Sequence, residues 1–143
     1  MFTIDVKMGR LLEFRAMEPS MPEDLDVERQ RMTHFFQTIP GKVVVCADFS
    51  RATIFSPEVA TKVVDVLRYD NPRIERSGFL VSDSAIFSLQ LERLVNQAGN
   101  PARKCFRDPF DLKVFLGPNL THEEHSRLAQ FLSDPVDSPV RRS

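Results

Sequence analysis

Apolar and polar residues alternate over Phe2-Thr3-Ile4-Asp5-Val6 and again, with less regularity, over Leu11-Leu12-Glu13-Phe14-Arg15-Ala16-Met17, and Met8-Gly9-Arg10 separates the two runs. Period two on both sides of a glycine-containing break predicts a β-hairpin. From about Pro22 to Thr38 the spacing changes: Leu25, Met32, Phe35, Phe36 and Ile39 recur at helical intervals, with Glu23, Asp24 and Asp26 near the start and Pro40-Gly41 at the end. Acids in a first turn suit the positive end of the helix dipole. The run Val43-Val44-Val45-Cys46-Ala47-Asp48 has no alternation at all, which predicts a strand covered on both faces.

After a linker from Phe49 to Phe55, Ser56-Pro57-Glu58 opens a helix that carries Val59, Val63, Val66 and Leu67 and stops at Asn71-Pro72. Ser77-Gly78-Phe79-Leu80-Val81 predicts the next strand. Ser82-Asp83-Ser84 then supplies caps for a helix with Phe87, Leu91, Leu94, Val95 and Ala98 inward, closed by Gly99-Asn100-Pro101. A short strand over Arg103 to Phe106 leads through Asp108-Pro109 into a helix whose apolar residues are Phe110, Val114, Phe115 and Leu116. A last helix starts at Thr121-His122-Glu123-Glu124, a capping box, and turns Leu120, Leu128, Phe131 and Leu132 inward. The predicted order is β-β-α-β-α-β-α-β-α plus a C-terminal helix: an α/β fold with a mixed sheet of about five strands. One domain over residues 1–133 is expected, followed by a disordered tail over 134–143, where two prolines accompany few apolar residues.

Composition narrows the function more than it defines it. A formal net charge of −1 over 143 residues provides no concentrated basic surface for nucleic acid. No apolar run approaches the roughly 20 residues that span a bilayer. Charges at Asp5, Lys7, Arg10 and Glu13 interrupt any signal-peptide pattern, so a cytoplasmic location is expected. Cys46 and Cys105 both fall in predicted strands and read as reduced core thiols. His34, His122 and His125 have no third ligand at metal spacing, and no nucleophile elbow, Cys-His order or phosphate-cradling glycine loop occurs. The expectation is a non-enzymatic protein without metal or cofactor.

Right-handed crossovers would send the turns after the three later strands to one sheet edge, where open α/β sheets place their sites. Those turns hold the candidate residues Asp48, Ser50, Ser56, Ser82, Asp83, Ser84 and Arg107. Ser56 as an N-cap is sufficient to start a helix; a phosphate there would add about −1.5 to −2 charges beside the helix dipole. Ser82, Asp83 and Ser84 could rim a pocket or simply turn strand into helix. Arg103, Lys104 and Arg107 form a basic cluster that could receive an acidic partner or phosphate but reads more ordinarily as a solvated strand end, with Arg103 and Cys105 on the face opposite Lys104 and Phe106.

This element order resembles the STAS, or SpoIIAA-like, family of anti-sigma-factor antagonists and sulfate-transporter tail domains, over about residues 2 to 133. Asp48-Phe49-Ser50 is similar to the family's Asp-Leu-Ser, and Ser56 stands nearest its phosphorylatable serine, with Phe55 in place of the preceding Asp and Pro57-Glu58 in place of Ser-Gly. The segments Cys105-Phe106-Arg107-Asp108-Pro109, Val114-Phe115-Leu116 and Leu120-Thr121 are similar to the ends of uncharacterised bacterial STAS-like proteins. The resemblance implies a regulatory module that binds a protein partner, with a homodimer through the first hairpin's edge as a further possibility. An apolar patch on the helix from Pro57 to Tyr69 would mark the partner face. The alternative is a small-molecule or lipid-binding protein of the same fold, marked by an internal cavity of several hundred Å3 rimmed by Ser82, Ser84 or Arg107.

Overall fold

A computed structural model describes residues 2–17 and 20–133 of the chain; the expected tail over 134–143 lies outside the described residues. β1 (Phe2–Met8) and β2 (Leu11–Met17) form the predicted antiparallel hairpin, turned at Gly9 with φ 57°. α1 (Pro22–Thr38), β3 (Val43–Arg51), α2 (Pro57–Asp70), β4 (Ile74–Leu80), α3 (Ala85–Ala98), β5 (Arg103–Phe106), α4 (Pro109–Leu116) and α5 (His122–Ser133) follow. The sheet order is β1-β2-β3-β4-β5, and β2 through β5 are parallel. This is the mixed five-strand α/β sheet that the residue pattern predicts.

Because each parallel strand sits directly beside the one before it, every crossover steps one place in the same direction, and α1, α2 and α3 line up on one face. That face holds the larger core: Leu12, Val45, Ala47, Phe49, Phe55, Phe79, Phe87 and Leu91 are among its buried residues. The opposite face is covered by α4 and α5, over Leu11, Val44, Cys46 and Leu80. Consecutive β3 residues therefore alternate between two cores, so the strand has no polar face.

Two elements depart from expectation. β4 begins at Ile74 rather than Ser77, since Glu75 and Arg76 are polar residues with dedicated partners: Arg10 Nη1 donates to Glu75 Oε1 at 2.7 Å, and Arg76 Nη1 donates to the Phe115 carbonyl at 2.7 Å. In α4 the buried residues are Leu112 and Leu116, whereas Phe110 and Val114 are exposed. Gly78 explains how close α4 can lie. A Cβ built there would stand 3.1 Å from Leu112 Cγ and 3.5 Å from Leu116 Cδ1. Gly78→Val is expected to push α4 outward and cost about 2 kcal/mol of stability, measurable by urea unfolding.

The capping box at α5 is formed as predicted. Glu124 N donates to Thr121 Oγ1 at 3.2 Å, and Thr121 N donates to Glu124 Oε1 at 2.8 Å. Glu124 Oε2 also accepts from Arg10 N at 2.7 Å, so a helix cap doubles as the clasp between α5 and the hairpin. Both cysteines are free, and burial pushes their thiols up, that of Cys105 to about 12, which leaves them inert at neutral pH.

Candidate functional site

The turns after β3, β4 and β5 emerge at the carboxyl edge of the parallel strands, and the predicted site residues separate there into two groups. Asp48 and Ser50 are not rim residues. Asp48 is buried on the α5 face, where its Oδ2 accepts from Arg15 Nε at 3.1 Å. Its Oδ1 accepts from Ser50 N at 2.9 Å and from Ser50 Oγ at 2.6 Å. Arg15 in turn donates from Nη2 to the Phe131 carbonyl at 2.9 Å and lies 4.2 Å from that ring's centre. Asp48 thus ties β3 to β2 and α5. Asp48→Asn, which keeps the shape and removes the charge, is expected to cost about 2 kcal/mol and to speed amide exchange in α5.

Ser56, Asp83, Ser84 and Arg107 are exposed and Ser82 is half-buried. Ser56 Oγ accepts from Val59 N at 3.2 Å as the α2 N-cap, and Ser84 Oγ accepts from Phe87 N at 3.4 Å as that of α3. Ser82 Oγ accepts from Ser84 N at 3.2 Å. The bond from Val81 N to the Phe106 carbonyl, 2.8 Å, brings Ser82 and Arg107 out of the sheet side by side. Ser56→Ala is expected to cost about 1 kcal/mol, read from the thermal midpoint, because it removes one cap.

Phe55, next to Ser56, is buried and packs edge-to-face on Phe87 at 5.3 Å between centroids. Its backbone is clasped by Gln90 of α3: Phe55 N donates to Gln90 Oε1 at 2.8 Å, and Gln90 Nε2 donates to the Phe55 carbonyl at 3.0 Å. That clasp holds the Phe55 backbone, and with it the chain that carries Ile54, against Gln90 of α3. Ile54, Ile86 and Leu89 are each more than half exposed. The outer face of α2, by contrast, carries Glu58, Thr61, Asp65, Arg68 and Tyr69, so the apolar patch expected on that helix is absent from it. Exposed apolar side chains lie instead at Ile54 and on α3, and also at Phe110 and Val114 of α4.

A second site lies inside the protein, between the sheet and α1 and α2. It is a cavity of about 70 Å3, lined by Leu12, Phe14, Phe49, Phe79 and Met32 and, among them, by Glu28, Asp70, Ser77 and Arg103. It is smaller than the several hundred Å3 expected for a ligand pocket, and Ser82, Ser84 and Arg107 do not line it. Arg103 is a correction to the solvated strand end read from the sequence: it points into the core, and its Nη2 donates to the Leu67 carbonyl at 2.9 Å. Burial raises Asp70 to about 7, despite the opposing effect of Arg103, and raises Glu28 well above the carboxylate range, with the charge on Asp70 adding to the effect. Burial also lowers Arg103 to about 10.

These three charges occupy positions that the periodicity reserves for apolar residues. Glu28 falls on the α1 stripe between Leu25 and Met32, Asp70 continues the α2 series Val63, Val66, Leu67, and Arg103 alternates inward with Cys105. That signal was in the sequence. It lies at the amino end of β4 and β5, away from the edge to which the parallel-sheet rule directs attention.

Among the described residues, no group of three His, Cys, Asp or Glu side chains is placed to hold a metal ion, and no helix is long and apolar enough to cross a membrane. No protein-family model matches the chain, and no curated protein matches its sequence.

Proposed function

We propose that the chain is a non-enzymatic, cytoplasmic protein-interaction module of the bacterial STAS-like kind, whose partner is a protein that lays an apolar segment on Ile54, Ile86 and Leu89. The observation that carries this reading is this ledge: the set of three large apolar side chains, Ile54, Ile86 and Leu89, each more than half exposed, on two segments joined by the bonds of Gln90 to the Phe55 backbone. Contiguous exposed apolar surface has no benefit to an isolated domain and is a usual mark of an interface. Ser56 caps α2 two residues from Ile54, so a phosphate on it would place its charge at the ledge's border.

The test is quantitative capture from the native cell with the wild type, the Ile86→Glu/Leu89→Glu variant and Ser56→Asp. One discrete protein is expected, with recovery about tenfold or more lower for the double variant at an unchanged thermal midpoint, and altered for Ser56→Asp. Recovery independent of all three positions would contradict the reading.

A second reading, binding of a small molecule, is favoured by a separate observation: three residues that line the core cavity carry buried polar atoms without a partner. Glu28 Oε1, Asp70 Oδ1 and Arg103 Nε make no hydrogen bond among the described residues.

A further inference from the structure

The sheet ends on one side at β1, whose outer edge has no strand beside it among the described residues. Which of its backbone groups point outward follows from the neighbouring strands. Val44 N donates to the Arg10 carbonyl at 3.0 Å, so in β2 the alternate residues Leu12, Phe14 and Ala16 turn their backbone N–H and C=O groups toward β3. Glu13 and Arg15 turn theirs toward β1, where they face Asp5 and Thr3. Phe2, Ile4 and Val6 therefore present their backbone groups to the open edge. One of these donors is occupied locally: Val6 N donates to Asp5 Oδ1 at 2.8 Å. Beside the edge, between β1 and α1, runs a groove lined by Ile4, Gln30, Arg31, His34 and Phe35, of which Ile4 and Phe35 are only partly buried.

We propose that β1 pairs antiparallel with β1 of a second copy of this chain, about a two-fold axis through Ile4, joining the two sheets edge to edge. In this register Ile4 faces the partner's Ile4 and Phe2 faces the partner's Val6. Every outward backbone group of these residues gains a hydrogen bond, and the cross-strand pairs on the α1 face are apolar. On the other face Thr3 stands opposite the partner's Asp5. Its hydroxyl donates to the carboxylate that gives up Val6 N. The neighbouring registers are poorer: an axis through Asp5 opposes two carboxylates, one through Thr3 leaves Val6 unpaired, and one through Val6 meets the irregularity between Val6 and Met8.

Repulsion between the grooves does not prevent this pairing. Arg31 lies 5.5 Å from the centre of its own Phe2 ring. The two Phe2 residues stand four positions apart along the paired strands, about 13 Å at about 3.3 Å per residue. That exceeds the screening length of about 8 Å at physiological salt. The two-fold axis also keeps both α1 helices on one face of the joined sheet, where each covers the other's Ile4 and Phe35.

The inference is independent of the docking ledge, whose residues lie on α3 and before α2. Its test is sedimentation equilibrium of the full chain at about 100 μM and physiological salt, where a dimer is expected. Ile4→Pro removes an outward N–H and no bond to β2, so it is expected to give a folded monomer with an unchanged circular-dichroism spectrum. Ile4→Cys gives a second readout that needs no proline. The pair at the axis sets its Cα atoms about 5.5 Å apart, within disulfide range, so mild oxidation is expected to link two chains. Val6→Cys is expected not to link, because position 6 faces position 2. A monomeric wild type would overturn the proposal, as would a dimer that persists in folded Ile4→Pro or links through position 6 instead of 4. Ile86→Glu/Leu89→Glu is expected to remain dimeric; its dissociation would move the contact to the ledge and overturn the edge pairing alone.

Discussion

Arg103→Met is expected to destabilise the fold by about 1–3 kcal/mol, the usual cost of leaving a buried acceptor, here the Leu67 carbonyl, without its donor. Methionine fills much of the same volume, so the loss is electrostatic rather than a cavity effect. Glu28 and Asp70 would then lose one of the two cations that act on them, Arg29 remaining, and the Leu67 carbonyl would lose its donor. The triple variant Arg103→Met/Glu28→Gln/Asp70→Asn, which removes all three charges, is expected to recover most of the stability. Urea unfolding of the four proteins measures this directly. Equal losses in the single and triple variants would show that packing, not charge, governs the site.

Acidification is expected to stabilise the protein between pH 8 and pH 5, by about 3 kcal/mol from Asp70 alone. The folded state holds the Asp70 proton up to about pH 7, whereas an unfolded aspartate releases it near its ordinary value of 3.8. Native protein thus binds more protons than the unfolded chain in this window, and stability falls as pH rises through about 7. Glu28, also raised, acts in the same direction. Asp24 and Glu75 are held low, so their contributions are lost only at lower pH and leave this window untouched. Arg29 on α1 and Arg103 on β5 are the cations that oppose this rise in Asp70. Asp70→Asn is expected to reduce the slope between pH 5 and pH 8, leaving the part due to Glu28; an unchanged slope in that variant would remove Asp70 as a source.

The fold was legible because each element announces its own burial. Val43 to Cys46 meets core on both faces, and an unbroken apolar run is the only pattern that satisfies this. The caps were equally plain: Ser56, Ser84, Asp108 and the Thr121–Glu124 box all act at the helix starts that they predict. The early half of β4 escaped, since Glu75 and Arg76 look like loop residues until Arg10 and the Phe115 carbonyl are brought to them from distant segments. Phe110 and Val114 were misplaced for a related reason, because an eight-residue helix with apolar residues on several sides does not say which side faces inward.

The candidate site was less legible than the fold. Ser82, Asp83, Ser84 and Arg107 do reach one edge, but Asp48 is committed to Arg15, and nothing local to Asp48 announces a partner 33 residues away. The ledge depends on the Gln90 clasp, a contact across 35 residues that holds the chain carrying Ile54 against α3. Arg103 was read as part of a basic run, although its alternation with Cys105 already placed it on the inner face.

The docking account is tested most directly by a photo-crosslinking amino acid placed at Ile86 and, separately, at Arg68 on the charged outer face of α2, with irradiation in the native cell. The account predicts one discrete adduct from position 86, lost when Leu89→Glu is added, and none from position 68. A second copy of this chain in that adduct would make the ledge a homodimer face. Equal adducts from both positions, or none from either, would contradict the claim that Ile54, Ile86 and Leu89 form a partner surface.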